Sequence, residues 1–266
     1  KSEKKITSQI AAGGLVGRSE NQAMLNYLNI KLLQVNEINW SDYKYIALVD
    51  TQPYTGNNSL PQYIKAHIVI DHHPLKKVTR TCIYYDVRDK VGATATILSE
   101  YLFKRNIAIH VQLAFSLFYG IKSETQDLGR ESSKKDLKMY TSLFPLTNKK
   151  RLSTIENSRV SPFYFKELNK MLSNIYLIGD VITSDLGVVE HSDIISEMAD
   201  FMLRLQGMNW SICIGQFEKN IYISVRTIDE KKDSGKIMSR LLKKIGSGGG
   251  HGMTAGGKIP LVTEDI

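Results

Sequence analysis

The chain has 266 residues, about twice the usual size of one compact domain, so two domains or one large α/β domain are expected. With 42% hydrophobic and 23% charged residues it has the composition of a folded globular protein, not of a disordered one. Thirty-five basic against 27 acidic side chains give a formal net charge of +8, which favours a polyanionic partner, although the lysines are scattered in pairs and form no basic tail.

The opening KSEKKITSQI lacks the apolar core of a signal peptide, and no later run approaches the roughly 18 uncharged apolar residues of a bilayer-spanning helix. Neither secretion nor a membrane partner is expected. Short apolar runs then alternate with longer helical patterns: IKLLQV, YIALVD and AHIVID, followed by the amphipathic TATILSEYLFKR and by VQLAFSLFYGI. Strands separated by helices at this spacing predict a parallel α/β sheet over residues 1–150. Residues 151–172 turn polar and helical, as a connector would. Residues 173–266 combine IYLIGDVI, the helical DIISEMADFMLRL, the strand-like WSICIGQF and NIYISVRT, a lysine-rich helix and a glycine-rich turn leading into KIPLV. They predict a smaller mixed α/β domain. Cys82 and Cys213 lie far apart in apolar, strand-like stretches, so both are expected to be small core residues of a protein kept in a reducing cytoplasm.

The candidate chemistry gathers at strand ends. YIALVD and AHIVID each close on an acidic residue, Asp50 and Asp71, and open α/β sheets place ligands outside the carboxyl ends of their strands. Asp71 is followed at once by His72, His73 and Pro74. Two imidazoles and a carboxylate offer a mixed nitrogen and oxygen donor set suited to Mn²⁺, Zn²⁺ or Fe²⁺, against the alternative of surface histidines in a turn. Asp50 serves equally as a turn cap in DTQPYTGNN. Farther on, GIKSETQDLGRESS offers Glu124 and Asp127 as carboxylates and Arg130 as a phosphate contact, against helix-capping and dipole roles for the acids. Seven of the twelve residues from Gly246 to Gly257 are glycine, around His251. Such a segment brings backbone amides close to anionic oxygens, with Arg226 at the end of NIYISVR as a second candidate contact.

Together, DHHP at 71–74, ALVDTQP at 47–53, YGIKSETQDLGR at 119–130 and GGGHGMTAGG at 248–257 resemble the DHH phosphoesterases with a C-terminal DHHA1 domain, over nearly the whole chain from about Gly13. That group includes nano-RNases that also dephosphorylate phosphoadenosine phosphate, RecJ-type exonucleases and cyclic-dinucleotide phosphodiesterases. The resemblance implies an α/β fold with a parallel-sheet DHH domain over 1–150, a helical linker over 151–172 and a DHHA1 substrate-binding domain over 173–266.

It also implies a site. Asp50 would bridge two metal ions, with His72 and Glu124 as further ligands; Asp71 would orient them and His73 would contact the scissile phosphate. Gly248, Gly249, Gly250 and His251 would receive the substrate with Arg226 assisting, and Arg130, read from its polar loop, is added as a substrate contact. The implied activity is Mn²⁺-dependent hydrolysis of short oligonucleotides or small nucleotides by two-metal activation of water, with Mg²⁺ or Co²⁺ as other cations. The implied partner is short single-stranded nucleic acid or a small nucleotide, and a homodimer is among the assemblies allowed. Two departures stand out: the family's N-terminal Asp-x-Asp motif has no counterpart in the sequence, and Glu124 stands where the family has aspartate. They keep a second expectation open, a nucleotide-binding regulatory module impaired in catalysis.

Overall fold

The computed structural model describes residues 7–13, 16–55, 58–229 and 231–261, with His251 described in its backbone alone. The chain divides into two units, Lys1–Gly14 with Ala23–Ser158, and Leu15–Gln22 with Arg159–Ile266. Among the described residues no helix is long and apolar enough to cross a membrane.

In the first unit the apolar runs form short parallel strands. β1 (Ile10–Ala12) pairs with β2 (Leu32–Gln34), while β3 (Ala47–Val49), β4 (Ile68–Asp71) and β5 (Tyr84–Val87) form a three-stranded sheet in that order. Helix α1 (Ser19–Leu28) runs from the second unit into the first, and α2 (Thr94–Lys104), α3 (Val111–Glu124), α4 (Lys134–Leu143) and α5 (Lys149–Glu156) follow. VQLAFSLFYGI has apolar residues on several sides because α3 is central: Phe115, Phe118 and Ile121 are fully buried and pack in one cluster with Leu143 and Ile155. The start of α4 is fixed by a reciprocal capping box between Ser133 and Asp136.

In the second unit α6 (Pro162–Ser173) precedes β6 (Tyr176–Ile178), β7 (Val181–Val188), α7 (Asp193–Met202), β8 (Trp210–Phe217), β9 (Asn220–Thr227), α8 (Ser234–Leu242), β10 (Ser247–His251) and β11 (Thr254–Pro260). The sheet order is β10-β11-β9-β8-β7-β6. β7 and β8 are parallel, joined through α7, and the other pairs are antiparallel. Ile194, Ile195 and Met198 of α7 pack with Met171, Ile182 and Cys213. The division of the chain at Ser158 falls inside the polar helical stretch, so α5 belongs to the first unit and α6 to the second.

Two expectations are corrected here. The glycine-rich segment is mostly strand, with its turn confined to Gly252–Met253: Gly248, Gly249 and Gly250 pair with Gly257, Gly256 and Ala255 as strand β10. Glycine is required there because a Cβ on Gly248 would lie 2.7 Å from Met238 of α8, and one on Gly235 of α8 would lie 2.1 Å from the Gly250 carbonyl oxygen. The missing side chains let helix and hairpin meet backbone to backbone. Cys213 is buried, as expected, but Cys82 is half-buried and caps a 3₁₀ turn ahead of β5.

Candidate metal centre

The parallel register of β3 and β4 brings two acidic strand ends together. The Asp50 amide donates to the Ile70 carbonyl (2.9 Å), one step beyond the Val49–Ile70 pair. Asp50 has a φ of +64°, a left-handed conformation that costs a residue with a Cβ about 1–2 kcal/mol. Strain of this kind persists where surrounding contacts over-determine the position. Here the hydroxyl of Thr94, the first residue of α2, donates to Asp50 Oδ1 at 2.7 Å.

Thr94 is itself held from behind. The fully buried Asp136 carboxylate accepts from the Gly92 amide (2.8 Å), the Thr96 hydroxyl (2.5 Å), and the amide (2.7 Å) and hydroxyl (2.5 Å) of Ser133. It ties the start of α2 to the start of α4.

Asp71 is fully buried. Its Oδ1 accepts from the His72 amide (2.9 Å) and lies 2.7 Å from His73 Nδ1, and its Oδ2 accepts from the Gln52 carboxamide (2.7 Å). Burial opposes its charge, but the hydrogen bond and charge of His73, with the Gln52 bond, outweigh burial and hold the carboxyl below its ordinary range. The converse holds at His73. Burial disfavours the imidazolium, and the hydrogen bond and charge of Asp71, with the charges of Asp50 and Glu124, raise its pKa above the ordinary value. Gln52 also donates to the Pro74 carbonyl (3.1 Å) and accepts from the Lys76 amide and Thr79 hydroxyl, both at 2.8 Å, so both ends of its carboxamide are engaged.

His72 Nδ1 lies 3.2 Å from the Val91 carbonyl, which makes Nδ1 the protonated nitrogen and leaves Nε2 facing Asp50 Oδ1 at 3.5 Å. Among the described residues, Asp50, His72 and His73 are the group of three whose donor atoms all lie within 4.8 Å of one another. One carboxylate and two imidazoles, with outer hydrogen bonds fixing ring orientation, fit a divalent cation that accepts mixed oxygen and nitrogen ligands.

Glu124 is not in this group. It ends α3, acts on His73 through its charge, and lies 4.0 Å from Arg130. Asp127 is committed elsewhere, to Lys122 (2.8 Å) and to the Tyr140 hydroxyl. In the second unit the Arg226 guanidinium donates to Asp200 (2.5 Å) and Ser224 (2.7 Å). Among the described residues a Cβ at Gly249 or Gly256 would meet nothing within 4 Å, so that pair of strand positions presents bare backbone. The His251 side chain lies outside the described residues. Gln52, Thr94 and Asp136 support the site and were missed from sequence; the one available signal was the position of Gln52 two residues after a strand-terminal aspartate.

Residues 179–266 match the DHHA1 domain family. Among curated proteins the chain is 37% identical over 258 residues to the uncharacterized protein MJ1633 of Methanocaldococcus jannaschii, covering 96% of this chain and 52% of that one. It is 24% identical over 208 residues to the uncharacterized protein MJ0988 of the same organism, covering 73% and 60% respectively. The chain thus spans about half the length of the curated relatives it matches. Among solved structures, an exopolyphosphatase-related protein from Bacteroides fragilis superposes with a TM-score of 0.68 at 14% identity, over 93% of this chain and 85% of the other.

Proposed function

The chain carries a DHHA1 domain together with the fold of the DHH phosphoesterases, and from that premise we infer that it serves metal-dependent hydrolysis of phosphoesters in short oligonucleotides or small nucleotides. The observation that carries this reading is the convergence of Asp50, His72 and His73 at the ends of two adjacent parallel strands. The net charge of +8 suits a polyanionic substrate.

Asp50 and His72 are assigned to hold the cation, Mn²⁺ first, with Mg²⁺ or Co²⁺ as alternatives. When bound, it supplies an activated water and neutralises charge on the phosphoryl group. Asp71 keeps His73 oriented through Nδ1, and His73 is assigned to contact the scissile phosphate. Thr94 and the strained backbone fix the Asp50 carboxylate in advance, which limits reorganisation on binding. Arg130 is assigned to the substrate phosphate: its side chain is 12% exposed and its Nε is buried with no hydrogen-bond partner among the described residues. In the second unit, Gly248, Gly249 and Gly250, with His251 and Arg226, are assigned to the nucleotide end.

The test is release of mononucleotide from a labelled dinucleotide by the natural-length protein with and without Mn²⁺. Asp50→Asn is expected to lower the Mn²⁺-dependent rate at least ~100-fold and to weaken Mn²⁺ binding in calorimetry, since even outer-shell changes cost about 10–100-fold. Nucleotide binding without metal and without turnover, unaffected by Asp50→Asn, would replace this reading with that of a regulatory nucleotide-binding module.

A further inference from the structure

Immediately after α3 the chain takes an unusual path. Gln126, Asp127 and Leu128 have φ values of +47°, +60° and +67°, and Glu131 follows at +43°. Three consecutive left-handed residues, none of them glycine, do not hold themselves. The clamp is visible. Lys122 Nζ binds Asp127 Oδ2 at 2.8 Å and Glu156 Oε1 of α5 at 3.1 Å, and the Tyr140 hydroxyl of α4 donates to Asp127 Oδ1. From inside, the buried Thr125 hydroxyl accepts from the Leu128 amide (3.0 Å), and the Thr125 carbonyl accepts from the Arg130 amide (2.9 Å). The far end of the turn lies against the site's supporting loop, because a Cβ on Gly92 would come 2.6 Å from the Glu131 carbonyl oxygen.

The turn joins Glu124, whose charge acts on His73, to Arg130, which is assigned to the substrate phosphate and pairs with Glu124. We propose that residues 125–131 form a sprung positioning element, held by Lys122, Asp127, Tyr140 and Glu156, that sets where Glu124 and Arg130 stand relative to His73. Asp127 and Lys122 are positioning residues and touch neither substrate nor cation. The inference rests on the phosphoesterase reading for its consequence but not for its mechanics.

Asp127→Asn removes the charge while keeping a residue type that tolerates left-handed backbone, and Gln126→Gly relieves strain at an exposed position. In the natural-length protein, Asp127→Asn is expected to speed amide exchange of residues 125–131 about tenfold while leaving Phe115–Ile121 protected. KM for the labelled dinucleotide is expected to rise ~5–10-fold with kcat within about twofold, a split expected when substrate placement is lost and the reacting centre is not. Mn²⁺ affinity in calorimetry is expected to stay within about twofold, since Asp50 and His72, the residues assigned to the cation, lie outside the turn. Adding Gln126→Gly to Asp127→Asn is expected to recover at least half of the exchange protection and of the KM change. Unchanged exchange in Asp127→Asn, or a double variant worse than the single, overturns the proposal. If the unaltered protein hydrolyses nothing, the phosphoesterase reading falls, and the exchange measurements and their recovery alone decide the clamp.

Discussion

The two units solve close packing in opposite ways. The first inserts buried carboxylates and a carboxamide between backbone segments: Asp136 between α2 and α4, and Asp71 and Gln52 between the turns after β3 and β4. The second removes side chains, so that α8 and the β10–β11 hairpin meet through Gly235, Gly248 and Gly257. Polar wedges hold chain in left-handed and loop conformations, which a reactive centre needs. Glycine apposition needs no such strain at Gly235 and Gly248 and lets the helix lie close against the hairpin. The difference explains why the candidate chemistry lies in the unit with strands of three or four residues, while the unit with eight-residue strands offers bare backbone.

The contrast is broken most forcefully by Asp136→Ala, which leaves the Gly92 and Ser133 amides and the Thr96 hydroxyl without their acceptor. A loss of about 3–5 kcal/mol is expected in urea melts, with exchange rising first in α2 and α4 and α7 following only on global unfolding. Equal and simultaneous loss in both units would show that the wedge is not local.

Gly235→Ala tests the other strategy. Alanine ordinarily favours a helix, but here its Cβ would strike the Gly250 carbonyl, so a net loss of about 1–3 kcal/mol is expected. Gly249→Ala, facing open space, should change stability by less than about 1 kcal/mol. If Gly235→Ala stabilised the protein, close helix–hairpin contact would be ruled out.

The smallest effect sharpens the comparison by showing that the second unit also carries a titratable burden. Burial pushes the Glu197 carboxyl up to about 7, with Arg18 opposing and Glu20, Asp193 and Asp200 adding to the rise. The folded chain therefore binds a proton that the unfolded chain has already released. The contribution of Glu197 to stability falls as pH climbs from about 4.5 toward 7 and is level above that. Glu197→Gln is expected to flatten this decline in melting temperature across the same window; an unaltered slope would assign the decline to other groups.

Much of this architecture was legible in the sequence because its signals are local. IALVD and IVID are apolar runs closed by an acid, and the alternation in NIYISVRT reports a half-covered strand, β9. DHHP pointed to the candidate centre because a strand end, a carboxylate and two imidazoles are consecutive. What escaped notice depends on contacts between distant segments. Nothing around Asp136 distinguishes it from an ordinary helix-start aspartate, and its hydrogen bonds reach back 40 and 44 residues. Glycine richness suggests a turn until the packing of α8 shows that the same residues clear space along a strand. Asp127 and Glu124, three residues apart in one polar loop, look interchangeable as acids; only the clamp around Lys122 separates their tasks.

The reach of Asp136 also bears on the order of assembly. The strand pair that delivers Asp50 and Asp71 closes over about twenty residues, whereas the brace on Asp50 through Thr94 must wait for a helix that begins at Lys134. A growing or refolding chain would therefore complete its sheet before its carboxylate is aimed, and competence for chemistry would arrive among the last events of folding.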